Sequence, residues 1–536
     1  MERTVIRRGL IYDGTGRDPY TADIAIQDGY IQEIGSGLSG SRTVHAEGLA
    51  VMPGIIDNHT HTDRTIFEAP LSPSKLMQGV TTEVTCNCGI GPFPVSDSHR
   101  SDLQEYMDAQ ATVASSARLD WHGFREYADA VDAVRPGVNL VPLTAHGALR
   151  IAVMGFSDRK AGPAEMNAMK QLLDGTLAEG SWGMSTGLVY PPGSFADTEE
   201  LTGLARVIAG HGAVFTSHVR GESENLLTAD QEIIGIAETT GCEVLISHIK
   251  AIGKAYWGNA VKALHMIEKA REEGYQVWAD QYPYEATSTK LSVLTPDWAQ
   301  EGGYGALTER LRSASLRETL LEGIRKRMDI RGGPSCVRIS TLKTGPNTRW
   351  IGHTVAELAA DRNVSGEEAV RELLAEEQAS VRAVYFSLGK EDLETIIQSP
   401  IVAVCSDAPG VDPDVYGSQN VHPRAYGSHA RVLGKYVREK KLLSLQTAVW
   451  KMTGLPAKIF HIPRRGRLEP GFAADLSVFD PSRIRDRATY EKPHQYAEGV
   501  MNVWVNGVLS VKDGRLTGAA GGKVLRKKNS SPHEDA

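Results

Sequence analysis

Six side chains able to bind a metal ion lie in order along the chain: His59, His61, Cys88, His218, His248 and Asp407. Each stands at or just past the end of a short apolar or β-branched run. His59 and His61 fall in Pro53-Gly-Ile-Ile-Asp-Asn-His-Thr-His-Thr-Asp63. A strand aims side chains two residues apart toward one side, so both imidazoles can face one ion. Imidazole, thiolate and carboxylate are ligand types that hold zinc, and zinc with an open position generates a nucleophile near neutral pH. The chemistry these residues point to is metal-dependent hydrolysis. His99, His122, His211 and His265 read as ordinary hydrogen-bonded histidines.

The elements that must position these ligands follow a rhythm. Strand-like runs occur at Ala50 to Ile56, Val80 to Thr85, Val138 to Thr144, Gly183 to Thr186, Ala213 to Ser217, Glu243 to Ser247, Gln276 to Asp280 and Ile401 to Ser406. Helical patterns intervene, among them Pro163 to Ala178, Thr198 to Ala209, Asn225 to Thr239, Gly258 to Glu273 and Glu391 to Gln398. Eight strands each followed by helical sequence predict an α/β fold, a (β/α)8 TIM-like barrel over about residues 53–465, with its active site at the carboxyl ends of the strands. The six candidate ligands all fall there. An interval of about 291–352 breaks the rhythm and predicts a lid or small subdomain over the pocket. Residues 1–52 and 466–515 carry short alternating segments punctuated by turn residues, and predict a small β-sandwich domain built from both chain ends. The polar stretch 516–536 reads as a disordered tail. Its Gly518-Ala-Ala-Gly-Gly-Lys523 lacks the spacing of a phosphate loop.

Bulk properties agree with an enzyme of small molecules. The 536 residues are 41% hydrophobic, enough for a large core, and the net charge of -8 argues against a partner held by phosphate contacts. No nucleic acid is expected. Five cysteines form no dense disulfide framework, so thiols in a reducing compartment, the cytoplasm, are the simpler reading. The N-terminus lacks an apolar leader core and no stretch approaches a spanning helix, so neither export nor a membrane is signalled. Oligomeric state is left open.

Several short motifs carry a family resemblance: Gly14-Thr-Gly16, Pro53-Gly-Ile-Ile-Asp57, Asn87-Cys-Gly89, Tyr190-Pro-Pro-Gly193, Asp280-Gln-Tyr-Pro-Tyr284, His422-Pro-Arg424 and Gly471-Phe-Ala-Ala-Asp475. Over nearly its whole length the chain resembles the amidohydrolase superfamily and, within it, the N-acyl-D-amino-acid deacylase (D-aminoacylase) family. Many superfamily members bridge two metals with a carbamylated lysine on strand four, but Gly183-Met-Ser-Thr186 offers none. In the resembled deacylases a cysteine after strand two takes that place, which matches Cys88; Cys86, two residues earlier, is the rival thiol. The resemblance implies a tight zinc site on Cys88, His218 and His248, with a second, weaker or empty site on His59, His61 and Asp407. It also implies that Asp407 moves the proton from nucleophile to leaving amine. For a substrate α-carboxylate it points to Lys250, Arg424, Tyr190 and Tyr282, with Ser288 near the reacting carbonyl and Arg220 serving the substrate or orienting the ligands through Glu222. Asp407 is followed by Ala408-Pro409 where the family usually has glycine.

The expected function is zinc-dependent hydrolysis of the linear amide of a small N-acyl-D-amino acid. A D-residue dipeptidase or a cyclic-amide hydrolase is the rival within the superfamily, and a catalytically dead barrel serving as a binding module is the rival outside it. The missing strand-four lysine disfavours cyclic amides, and the retention of every ligand type argues against a dead scaffold.

Overall fold

The structure is a computed structural model that describes residues 2–110, 118–343 and 345–528. Eight parallel strands form the predicted barrel: Ile55–Asp57, Val80–Thr85, Asn139–Pro142 continued by Thr144–Ala145, Gly183–Gly187, Val214–His218, Glu243–Ile246, Val277–Gln281 and Val402–Val404. Ladders join the first three, and others run from Thr144–Ala145 through to the eighth. The eighth strand meets the first through Asp407 N donating to His59 O at 2.9 Å and Ser406 N donating to Asp57 Oδ1 at 2.9 Å. Strands buried on both faces need continuous apolar or β-branched residues rather than alternation, which is how these runs read. Helices cover the outside, and their ends follow the local sequence. Asp197 accepts from Glu200 N to open Thr198–Gly210, and Gly241 at φ +69° closes Leu226–Thr240.

Strand one corrects the sequence reading. The run Ala50 to Ile56 is two strands, Ala50–Pro53 and Ile55–Asp57, in different sheets. Gly54 separates them where Thr81 crosses so close that a Cβ at Gly54 would lie 2.1 Å from its Oγ1. Ala50–Pro53 belongs to a nine-strand sheet in which Leu476–Phe479 pairs with it antiparallel and Thr4–Ile11 lies on its other side. Both chain ends therefore share one sheet, as expected. Thr4–Ile11 is irregular between Ile6 and Gly9, where Arg8 takes φ +54°. Its first half borders Arg42–His45 and its second half Ala50–Val51. The strand thus changes neighbours at the bulge within one nine-strand sheet, where the sequence reading expected a sandwich.

The insertion is longer than 291–352. It starts at Thr287–Lys290 and ends at Arg382–Tyr385, two strands that enclose Val337–Thr341 in a three-stranded antiparallel sheet. Helices Gly303–Arg312, Arg317–Ile330, Val355–Arg362 and Gly366–Glu376 pack with it. The tail is a second correction. Leu140 N donates to Lys523 O at 3.0 Å, Leu525 N to Leu140 O at 2.8 Å, and Val524 is buried. Residues 523–525 are thus held against strand three, while Thr517 N donates to Ser510 O in the β-domain and Lys527 N to Gly180 O just before strand four. Residues 529–536 lie outside the described ones.

Candidate metal centre

All six candidate ligands meet at the carboxyl end of the barrel. His59 Nε2 is 3.3 Å from Cys88 Sγ and 3.7 Å from Asp407 Oδ1, and Cys88 Sγ is 3.4 Å from His248 Nε2. These four form one group with ligand atoms within 4.8 Å of each other, and His218, Glu222 and His248 form a second. His61 joins through Asp407 Oδ1 at 3.1 Å. His248 therefore links the two groups, and Glu222 enters beside the sequence-predicted ligands.

The local backbone is strained at three of these positions. Cys88, His248 and Asp407 have φ of +58°, +39° and +50°, a region that non-glycine residues rarely adopt outside constrained sites. Cys88 can come in because strand four ends in glycine: a Cβ on Gly187 would lie 1.9 Å from Cys88 O. The loop after strand two thus packs directly on the end of strand four.

Electrostatics put Cys88, His248 and Asp407 in ligand-competent forms; against burial, Cys88 and Asp280 raise His59 well above the ordinary imidazole range and Glu222 raises His218 to about 9, so these two release a proton on binding an ion. Burial opposes a thiolate at Cys88, but His59 and His248 hold its pKa well below the ordinary thiol range. Cys86 is the reverse case: burial and the nearby Asp63 push its thiol well up, and it lies outside both ligand groups. Burial, aided by Lys250 and His218, lowers His248 to about 4 and keeps it neutral. Burial also works against the Asp407 carboxylate, yet the Arg424 guanidinium at 2.8 Å holds it well below the usual range. His218 is buried, and among the described residues neither of its ring nitrogens makes a hydrogen bond, although Nε2 lies 3.4 Å from Glu222 Oε2. Nδ1 of His59 and of His61 is similarly unsatisfied. Buried imidazoles without partners beside a thiolate and a carboxylate are a donor set that zinc fits.

Sequence reasoning missed Asp280 as a positioning residue, although its motif was in view. Its Oδ2 accepts from Asn58 Nδ2 at 2.8 Å and lies 3.5 Å from His59 Nδ1, while Oδ1 accepts from His248 N at 2.5 Å. One carboxylate at the end of strand seven thus orients ligands after strands one and six, the supporting role expected around metal-binding histidines.

A cavity of about 420 Å³ opens over the ligands, and Tyr190, Arg220, Lys250, Tyr282, Ser288 and Arg424 all line it. Several partners differ from expectation. Arg220 pairs with Glu232 at 2.9 Å rather than Glu222, whose carboxylate instead meets Lys250. Tyr190 hydrogen-bonds to Thr289 Oγ1 at 2.9 Å, and Arg424 donates to Ser288 O at 3.2 Å. The Tyr282 hydroxyl is buried without a hydrogen-bond partner among the described residues. The insertion contributes Ser288, Thr289, Val293, Arg327, Arg331 and Arg382 to the walls, so it does cover the pocket.

The model of the amidohydrolase family matches residues 42–511. The chain belongs to this family. Among relatives of this amidohydrolase, an N-acyl-D-aspartate deacylase from Alcaligenes xylosoxydans xylosoxydans is 34% identical over 532 residues, 98% of this chain and 96% of its own. The crystal structure of N-acyl-D-glutamate deacylase from Bordetella bronchiseptica, complexed with zinc and a phosphonate mimic of the tetrahedral intermediate, is 33% identical with a TM-score of 0.81. That match covers 98% of the amidohydrolase and 99% of the other chain. A D-aminoacylase structure concerned with a binuclear metal centre, one-metal activation and second-metal attenuation is 32% identical with a TM-score of 0.82, over 98% and 99% of the two chains.

Proposed function

We propose that this amidohydrolase is a zinc-dependent deacylase that hydrolyses the linear amide of N-acyl-D-amino acids to a carboxylate and the free D-amino acid. The observation that carries the reading is the Cys88 thiolate, 3.3 Å from His59 and 3.4 Å from His248 with Asp407 alongside, in place of a strand-four lysine. The deacylase activities and the zinc of the full-length relatives support it. Cys88, His218 and His248 would hold the tight ion, with His59, His61 and Asp407 available to a second. Zinc there supplies Lewis-acid chemistry, polarising the acyl carbonyl and making a nucleophile available at neutral pH.

The chain's own groups do the rest. Asp407 is ionised, so it can take the proton of the attacking water and return it to the leaving amine. Arg424 fixes Asp407 through Oδ2 and leaves Oδ1 toward His59 and His61. The unpartnered Tyr282 hydroxyl and Ser288 are donors for substrate oxygens. Lys250 and Arg424 are already ion-paired within the chain, which weakens their case as carboxylate anchors. Arg382 forms no ion pair among the described residues and lines the same cavity, so it is the better-placed cation for the α-carboxylate.

The test is amine release from matched N-acetyl-D- and N-acetyl-L-amino acids, with a hydantoin and dihydrouracil as cyclic amides, on protein of known zinc content. Turnover of D but not L derivatives is expected. Equal rates on both enantiomers, or cyclic-amide hydrolysis alone, would overturn the reading.

A further inference from the structure

His218 lacks the support that a metal-binding histidine ordinarily has. Such imidazoles are aimed by a hydrogen bond on the ring nitrogen that faces away from the ion. Among the described residues His218 makes none from either nitrogen, and Glu222 Oε2 approaches Nε2 at 3.4 Å without the geometry of one. Its ring is bounded by two other rings instead. Tyr190 stands edge-on to it, with centroids 5.1 Å apart and planes at 74°, and His248 lies 4.4 Å away at 81°. His248 is itself a candidate ligand, with Lys250 Nζ 2.7 Å from its Nδ1, which leaves Tyr190 as the orienting ring from outside the ligand set.

Tyr190 is held in turn by two consecutive residues of the insertion. Its hydroxyl hydrogen-bonds to Thr289 Oγ1 at 2.9 Å, and Lys290 Nζ lies 5.4 Å from its ring centre. Both residues belong to the strand Thr287–Lys290, which is fixed by its ladder with Arg382–Tyr385 and by Tyr385 Oη donating to Lys290 O at 2.9 Å. Lys290 is 2% exposed and forms no ion pair among the described residues. Its Nζ contacts the Tyr304 hydroxyl and faces three rings, Tyr304 at 4.7 Å, Tyr190 at 5.4 Å and Tyr106 at 5.6 Å. Burial, with Arg382 and Arg64 nearby, pushes its pKa well down, and the three electron-rich ring faces are what the fold sets against that push. Tyr106 comes from the helix Arg100–Gln110 and Tyr304 from the helix Gly303–Arg312, so this one amine fixes Tyr190 against barrel and insertion together.

We infer that Thr289 and Lys290 are positioning residues for the metal centre: they clamp Tyr190 by its hydroxyl and its ring, and Tyr190 aims the His218 imidazole. The insertion then does more than cover the pocket, because the ligand after strand five takes its orientation from a strand outside the barrel. This rests on His218 being a zinc ligand, as in the deacylase reading above.

The test measures zinc affinity by chelator competition and the visible spectrum of the cobalt-substituted enzyme, neither of which needs a substrate. The variants are Lys290→Met, Thr289→Val, Tyr190→Leu and the two doubles that join each of the first pair to Tyr190→Leu. Replacing a buried unpaired charge by an apolar side chain of similar volume is often neutral for stability, and melting curves check that each variant is folded. Thr289 is half-buried, so Thr289→Val carries the test alone if Lys290→Met does not fold. Loss of a support behind a ligand lowers metal affinity by about 10- to 100-fold, so each single variant should bind zinc about tenfold or more weakly and shift the cobalt bands. The doubles should bind it no more weakly than Tyr190→Leu, since both residues act through that ring. Wild-type zinc affinity and cobalt spectrum in either folded single variant, or losses that add in full to that of Tyr190→Leu, would overturn the inference and leave the deacylase reading standing. Absence of tight zinc in the unmodified protein would sink both.

Discussion

Cys86 and Cys88 are two residues apart, both buried and both at positive φ, yet they are different chemical species. The difference lies in what faces each sulfur. Asp63 opposes ionisation of Cys86, while two imidazoles favour it at Cys88. Loss of one of three ligands lowers metal affinity steeply, so Cys88→Ala should lose tight zinc and activity together. Cys86→Ala should keep both. Elemental analysis after dialysis decides it, and full zinc in Cys88→Ala would remove the thiolate from the ligand set. This distinction was legible in the sequence because the Asn-Cys-Gly context marked the second thiol. The partner of Arg220 was not: Glu222 is nearer in sequence, but the turn between them sends its carboxylate back to Lys250 and leaves Arg220 to Glu232, one helix later.

Among elements, the short helix Pro73–Leu76 has an effect beyond its size. Its Lys75 Nζ is fully buried and donates to Asp57 Oδ2 at 2.8 Å, Ser406 Oγ at 2.7 Å and Ala408 O at 2.9 Å, with Glu83 Oε1 at 3.2 Å. It thereby ties together strands one, two and eight beside the seam where the barrel closes. Burial opposes ionisation of Asp57, yet Lys75 and His429 hold it well below the usual carboxylate range. Lys75→Met would strand two buried carboxylates, and removing one partner of a buried ion pair costs about 3–5 kcal/mol. Urea or thermal denaturation of the variant measures this, and a loss under about 1 kcal/mol would mean that the network is not holding the seam. The barrel strands were readable because burial on both faces makes them continuous apolar runs. The insertion's limits were not, because Thr287–Lys290 has no apolar residue and becomes a strand only through its ladder with Arg382–Tyr385.

At the scale of the whole molecule, the tail lies where a polar composition gave no sign of it. Besides its bonds to Leu140, Lys527 N donates to Gly180 O at 2.8 Å, and Trp182 Nε1 donates to Leu525 O at 2.7 Å. Truncation after Leu516 should expose the apolar surface covered by Val524 and break these bonds. The cost is about 3 kcal/mol or more from one apolar side chain and several hydrogen bonds, with zinc still bound. Differential scanning calorimetry with metal analysis tests both halves, and an unchanged melting temperature would show that the packed tail contributes nothing. The split at Gly54 has a consequence of another kind. His59 and His61 follow a strand whose preceding segment, Ala50–Pro53, finds its partner Leu476–Phe479 only after nearly the whole chain has been synthesised. On the ribosome, then, the strand that precedes the earliest-made ligands has only its Thr4–Ile11 side paired until residues 476–479 have been synthesised.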